Sequence, residues 1–180
     1  MNARSFAVAS GTASGVFVAG QGILVKQGEA DVSFTAIGPG GLRIVGRTSD
    51  LGVADNGYWL TLTASLLKLD TGIPMRDAHM REQYLQVGRY PNAQLRVDRA
   101  LLKFPDESGA EGTATGTMTI RGESRHVSLH YRAARVGAVL HITGDAQINM
   151  TDYGVHVPPY LGMTVKPYVA LRVRFGVLES

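Results

Sequence analysis

From about residue 30 onward, apolar and polar side chains alternate along the chain, which is the period of a strand with one buried face. Val32, Phe34 and Ala36 fall on one parity against Ser33 and Thr35, and Gly38-Pro39-Gly40-Gly41 supplies a turn. Leu42, Ile44 and Gly46 alternate with Arg43, Val45 and Arg47, and Asp55-Asn56-Gly57 is a strong hairpin signal. Tyr58, Leu60, Leu62, Ala64 and Leu66 then share a face, and Leu95, Val97 and Leu101 share another. Met118 and Ile120 oppose Thr117, Thr119 and Arg121, with Gly122-Glu123-Ser124 turning the chain toward Val127, Leu129 and Tyr131. The longest run is Leu140, Ile142, Gly144, Ala146, Ile148 and Met150, and Val169, Leu171, Val173 and Phe175 make the last.

One stretch breaks this rhythm. Residues 69–95 read LDTGIPMRDAHMREQYLQVGRYPNAQL. Gly72 frees the backbone after a strand, and Pro74 suits a first helical turn, where its missing donor costs nothing. Met80 and Tyr84 recur at helical spacing, as do Asp77 and Arg81. Gly88 and Tyr90-Pro91 then restore an extended chain. The stretch reads as strand, turn, short helix, turn, strand.

The pattern therefore predicts an all-β fold of eight strands, with connections short enough for antiparallel neighbours and the helix inserted between strands 3 and 4. Eight such strands can close into an up-and-down barrel, which removes exposed edges and can hold one small ligand. A two-sheet sandwich has the same alternation. At 180 residues the chain suits a single domain. We divide it into an arm over 1–22, charge-poor and rich in Gly, Ser and Ala, and a barrel domain over 23–180.

Composition mainly excludes. There is no Cys, hence no disulfide, thiolate metal site or cysteine nucleophile. The net charge of +3 comes from scattered Lys and Arg rather than a basic stripe, which argues against nucleic acid as a partner. No apolar run approaches the roughly 20 residues of a membrane-spanning helix. The N-terminus has small residues and an early Arg, but Ser, Gly and Thr interrupt the apolar core that a signal peptide needs. Taken as complete, the chain would stay in the cytoplasm.

Candidate chemistry is sparse. His126 and His130 lie four apart in a strand pattern, about 13 Å, too far to share one ion, and no metal site is expected. No nucleophile-elbow or phosphate-loop motif is present. Asp70, Arg76, Asp77 and His79 form the one dense polar cluster. It could serve as an acid–base group or as a ligand-orienting rim. It could equally be structural, with Asp70 or Asp77 capping the helix and Arg76 or Arg81 paired to a carboxylate. The structural reading is preferred, because a barrel must fix its single helix, and no catalytic residue is assigned. The small residues Ala36, Gly46, Ala64, Gly116, Gly144 and Ala146 could leave room for a ligand or could ease strand closure.

The same interruption carries a family resemblance. Asp70-Thr71-Gly72, Arg76-Asp77-Ala78-His79-Met80, Tyr84-Leu85 and Tyr90-Pro91 are similar, in order, to the DTG, RD-x-HL, aromatic-pair and YP motifs of the YceI-like family. Ile120 to Val127 resembles its Gly-centred hairpin, and Thr151-Asp152-Tyr153-Gly154-Val155 its x-D-F/W-G-I element. Gly28-Glu29-Ala30-Asp31 departs from the family's usual opening, and the resemblance spans roughly Ile23 to Val177.

What the resemblance implies is a lipocalin-like barrel that binds and carries a long-chain amphiphile: a polyisoprenoid, a quinone or a fatty-acid-like lipid. The implied binding residues are Phe34, Leu60, Leu62, Ala64, Met118, Ile120, Leu129, Tyr131, Leu140, Ile142, Leu171 and Val173, with Asp70, Arg76, Asp77 and His79 as a structural or rim cluster. No cofactor is implied beyond that lipid, a homodimer is left open, and many relatives are periplasmic. The rivals are a solid barrel serving as an interaction module, which would lack a continuous cavity, and an enzyme using Asp77 and His79, which would turn His79 inward.

Overall fold

A computed structural model describes residues 22–106, 108–157 and 164–180. The arm expected over 1–22 lies outside these residues except for Gly22.

The described chain forms one nine-stranded antiparallel sheet. Its strands are β1 (Leu24–Ile37), β2 (Arg43–Thr48), β3 (Leu51–Asp55), β4 (Trp59–Ser65), β5 (Asn92–Asp98), β6 (Ala110–Ile120), β7 (Glu123–Val136), β8 (Val139–Asn149) and β9 (Tyr168–Glu179). Their order is β2-β1-β9-β8-β7-β6-β5-β4-β3. The helix α1 (Pro74–His79) lies between β4 and β5 and widens into a π turn over Met80–Tyr84.

The sheet's two edge strands, β2 and β3, are consecutive in sequence, so the sheet curls into a nearly closed barrel. Residues 43–55 act as one bent strand whose first half pairs with β1 and whose second half pairs with β4. This is why nine strands appear where the alternation predicts eight, and why the helix follows the fourth. The bend has a local cause. Thr48 is buried, and its hydroxyl accepts from the Asp50 amide at 3.2 Å, a turn of the Ser/Thr type that interrupts the ladder.

Two contacts sew the seam. At one end the approach to α1 pairs with β2 through Arg47 N to Asp70 O (2.8 Å) and Asp70 N to Arg47 O (2.9 Å). At the other, the Asp55 carboxylate accepts from the Leu24 amide at 2.8 Å and the Gly57 amide at 2.9 Å. Arg99 sits 3.3 Å from the same carboxylate, with side-chain exposures of 7 % and 0 % for the two partners. It also donates to the Gly22 carbonyl at 3.2 Å and lies over the Phe104 ring.

The register turns most of the expected apolar parities inward, but Leu42, Tyr58 and Leu101, each expected on such a face at the end of a run, are exposed. Leu140 and Val177 are essentially fully buried, with Leu24, Leu60, Leu62 and Phe175 around them near the Asp55 end. Ala36, Met118, Ile120, Ile148, Tyr153 and Val169 pack near the helix end. A bulge in β1 between Gln27 and Asp31, with Gly28 at φ +69°, bends the strand and keeps Leu24 and Val32 on one parity.

Candidate functional site

The barrel is hollow. A cavity of about 460 Å³ runs through its interior, within the range of small-molecule pockets. All the apolar residues expected to bind lie on its wall: Phe34, Leu60, Leu62, Ala64, Met118, Ile120, Leu129, Tyr131, Leu140, Ile142, Leu171 and Val173. They arrive from strands around the barrel because inward positions recur every second residue. The small residues divide into two uses. Ala36, Ala64, Gly144 and Ala146 line the cavity, where their missing volume is its space. Gly46 instead receives the Phe34 ring, and a Cβ there would stand 2.1 Å from a ring carbon.

Each end of the cavity is covered differently. At the Asp55 end, Leu102 and Phe104 follow β5, and the Lys103 amide donates to the Tyr131 hydroxyl at 2.6 Å. At the other end, Leu69, Met80, Tyr84 and Leu85 of the insert face inward beside Tyr153 and Val155. Met80 and Tyr84 thus take the inner side of the helical stretch, as their spacing predicts. The stretch closes earlier than Gly88, because Gln86 adopts φ +52° and the amides of Arg89 and Tyr90 donate back to its carbonyl.

The polar cluster is divided by this geometry. Asp77 is buried and accepts from the Thr71 amide at 2.9 Å and from the Thr71 hydroxyl at 2.5 Å. Arg76 completes the knot, its Nε donating to the Thr71 hydroxyl at 2.8 Å and its Nη2 to the Thr71 carbonyl at 3.0 Å. Arg81 donates to the Leu69 carbonyl, and Asp70 accepts from the Gly72 amide at 2.6 Å. No side chain caps the helix start, and neither arginine takes a carboxylate: the knot ties the approach loop, not the helix amides. Thr71 and Arg76 also reach the cavity wall, whereas Asp70, Asp77 and His79 do not, and His79 is exposed.

Burial pushes the Asp77 carboxyl up, but the hydrogen bonds from Thr71, together with Asp70 and the Arg81 charge, outweigh it and hold the group below the ordinary carboxylate value of 3.8. A depressed folded-state pKa contributes stability that is present above the unfolded value and is lost as pH falls through the folded one. Asp77→Asn is therefore expected to destabilise the protein by about 1 kcal/mol near neutral pH. The gap to the native chain should close as pH drops below about 4. Urea melts of both proteins across that range are the check, and parallel pH profiles would show that the Asp77 charge contributes nothing.

Two features had little sequence signal. Tyr153 is 2 % exposed and on the cavity wall; burial, with Asp152 nearby, pushes its hydroxyl's pKa up, so it stays a neutral donor. The only hint was its place in the x-D-F/W-G-I element. Arg99, at the covered end, had none, since partnership with Asp55 crosses 44 residues. Among the described residues, no three His, Cys, Asp or Glu side chains gather as a metal site would require.

Comparisons with known proteins agree with this geometry. A polyisoprenoid binding domain from Saccharophagus degradans, implicated in plant cell wall breakdown, superposes with a TM-score of 0.71 at 14 % identity, covering 88 % of this chain and 98 % of that one. BcnA of Burkholderia cenocepacia gives 0.67 at 16 % identity, covering 82 % and 95 %. The YCEI protein of Campylobacter jejuni gives 0.59 at 18 %, covering 76 % and 85 %. No curated protein matches the sequence. The model of the YceI-like domain matches residues 5–177, nearly the whole chain, and the protein belongs to the YceI-like family.

Proposed function

We propose that the barrel binds a long-chain amphiphile, such as a polyisoprenoid, a quinone or a fatty-acid-like lipid, with its tail along the barrel axis. The observation that carries this reading is the 460 Å³ cavity with an almost wholly apolar wall. Such a wall selects by burial rather than by specific contacts. Each methylene removed from water contributes about 0.8 kcal/mol before ordering costs, so a long tail suffices. The family to which the chain belongs, and the ligand named for the Saccharophagus degradans domain, support the same class.

Polar partners for a headgroup are few: at the Phe104 end the Tyr131 hydroxyl already accepts from the Lys103 amide, while the insert end offers others. The Tyr153 hydroxyl stays protonated, and Arg76 reaches the wall there with guanidinium N–H groups beyond those it gives to Thr71. A headgroup that accepts hydrogen bonds would find them, while the tail runs toward Phe104. The reading is binding without catalysis. His79 faces away from the cavity wall, and Asp77 is committed to Thr71.

Native mass spectrometry of protein purified from a bacterial host, followed by organic extraction and lipid analysis, tests the proposal. A stoichiometric prenyl or long-chain adduct is the expected result. A mass equal to the bare chain, with no uptake of added prenyl lipids or long-chain acids, would overturn it.

A further inference from the structure

The rim at the insert end carries an apolar surface that the cavity does not use. Asp77, Met80 and Tyr84 turn toward the barrel, which leaves the entry of the helix outward: Ile73 is 49 % and Met75 73 % exposed, with Pro74 exposed between them. The antiparallel bridge between Arg47 and Asp70 runs this approach along β2 toward Leu42, itself 57 % exposed. Continuing around the rim, Arg43 pairs with Ile37, and the Lys166 amide donates to the Ile37 carbonyl at 2.8 Å. Tyr168 then opens β9 facing outward, 58 % exposed. Arg43 and Lys166 are exposed and have no acidic partner among the described residues. Asp70, on the same arc, turns back onto the Gly72 amide.

We propose that this rim docks on the surface of an anionic lipid membrane, with Ile73, Met75 and Leu42 entering the headgroup–acyl boundary. Aliphatic side chains on a projecting turn, a tyrosine at their flank and exposed cations beside them are the combination that such an interface accepts. The cations favour anionic headgroups, whose attraction decays within a Debye length. Location adds the second argument. The surface surrounds the end of the barrel that α1 covers, and long-tailed amphiphiles reside in membranes, so docking here would place the covered end against their source. That second argument rests on the proposed function; the surface chemistry does not.

Flotation with vesicles of phosphatidylglycerol and phosphatidylcholine, set against phosphatidylcholine alone, is the test. The intact protein is expected to float with the anionic vesicles at low salt and to be released by high salt. Ile73→Asp with Met75→Asp should weaken binding roughly tenfold, and Arg43→Glu with Lys166→Glu roughly thirtyfold. Val136→Asp, at the opposite end and 64 % exposed in the native chain, should change nothing. Circular dichroism and a thermal melt confirm that each variant folds. A native chain that stays in solution with anionic vesicles, or rim variants that float like it, would overturn the proposal and leave this face to a protein partner. Uptake of a prenyl probe delivered in detergent separates the two readings. A chain that floats but takes up no probe refutes cavity binding and leaves docking standing, whereas uptake without flotation does the reverse.

Discussion

Asp55→Ala is expected to destabilise the barrel by about 3–5 kcal/mol, because it leaves the Arg99 guanidinium buried without its counter-charge. The melting temperature should fall by about 6–20 °C. The position is sensitive because no strand ladder joins β1 to β3, and the sheet's own hydrogen bonds do not close that part of the seam. Asp55 substitutes for them, one carboxylate oxygen holding the start of β1 and the other the turn after β3. Removing both charges should cost less than removing one, since an apolar pair of similar volume avoids the desolvation that the ion pair carries. Asp55→Ala with Arg99→Met is therefore predicted to be more stable than Asp55→Ala alone. Urea denaturation of the three proteins measures the difference. An Asp55→Ala midpoint close to that of the native chain would show that the seam is held elsewhere.

The same residue illustrates what could be read from the chain. Asp55-Asn56-Gly57 announces a hairpin, and a hairpin is there: Asp55 accepts from the Gly57 amide and Asn56 from the Tyr58 and Trp59 amides. Turn chemistry of this kind is local, so the sequence carries it. The other oxygen of Asp55 and its partner Arg99 belong to a contact set by closure, which alternation does not encode. Thr48 is the intermediate case. Its hydroxyl acts only two residues away, yet it matters because it falls where the chain must change partners. The inward parity does change there, from Ile44, Gly46 and Thr48 to Leu51 and Val53, but a one-residue slip across Ser49-Asp50 carries no turn motif to announce a second strand.

The insert shows the same division. Pro74 at the start of the helix and the inward spacing of Met80 and Tyr84 follow from local rules, and the structure has both. The roles inside the polar cluster do not follow, because Thr71 is the hub, and its place in the Asp70-Thr71-Gly72 motif says nothing of which side chains it holds. Its hydroxyl donates to Asp77 and accepts from Arg76, while its own amide and carbonyl engage the same two side chains. A cluster that resembles acid–base machinery is thus largely a fastening. The hollow interior was the other open question. Residue type alone could not separate Ala64 and Ala146, which leave space, from Gly46, whose space Phe34 fills, since that depends on which side chain stands opposite.

Substitutions that fill the cavity should block long tails in an order set by depth. Ala64 lies near the insert end of β4, and Ile142 lies near the far end of β8, beside Phe175. A tail that enters past the insert meets Ala64 first and Ile142 last. Ile142→Trp is therefore expected to shorten the accepted tail while short-chain probes bind as before. If it displaces one five-carbon prenyl unit, the loss is about 4 kcal/mol, roughly a thousandfold in affinity for the longest ligands. Ala64→Phe, nearer the entrance, should weaken short and long tails alike. Overpacking costs typically about 1–3 kcal/mol, so thermal melts must accompany the binding series to show that each barrel remains folded. Titrating a prenyl series of increasing length against the native chain and both variants reads the order directly. If Ala64→Phe spares the short probes and Ile142→Trp blocks them, tails enter from the Phe104 end and the headgroup lies away from Tyr153. If neither substitution changes affinity at any length, the cavity is not where the tail is buried.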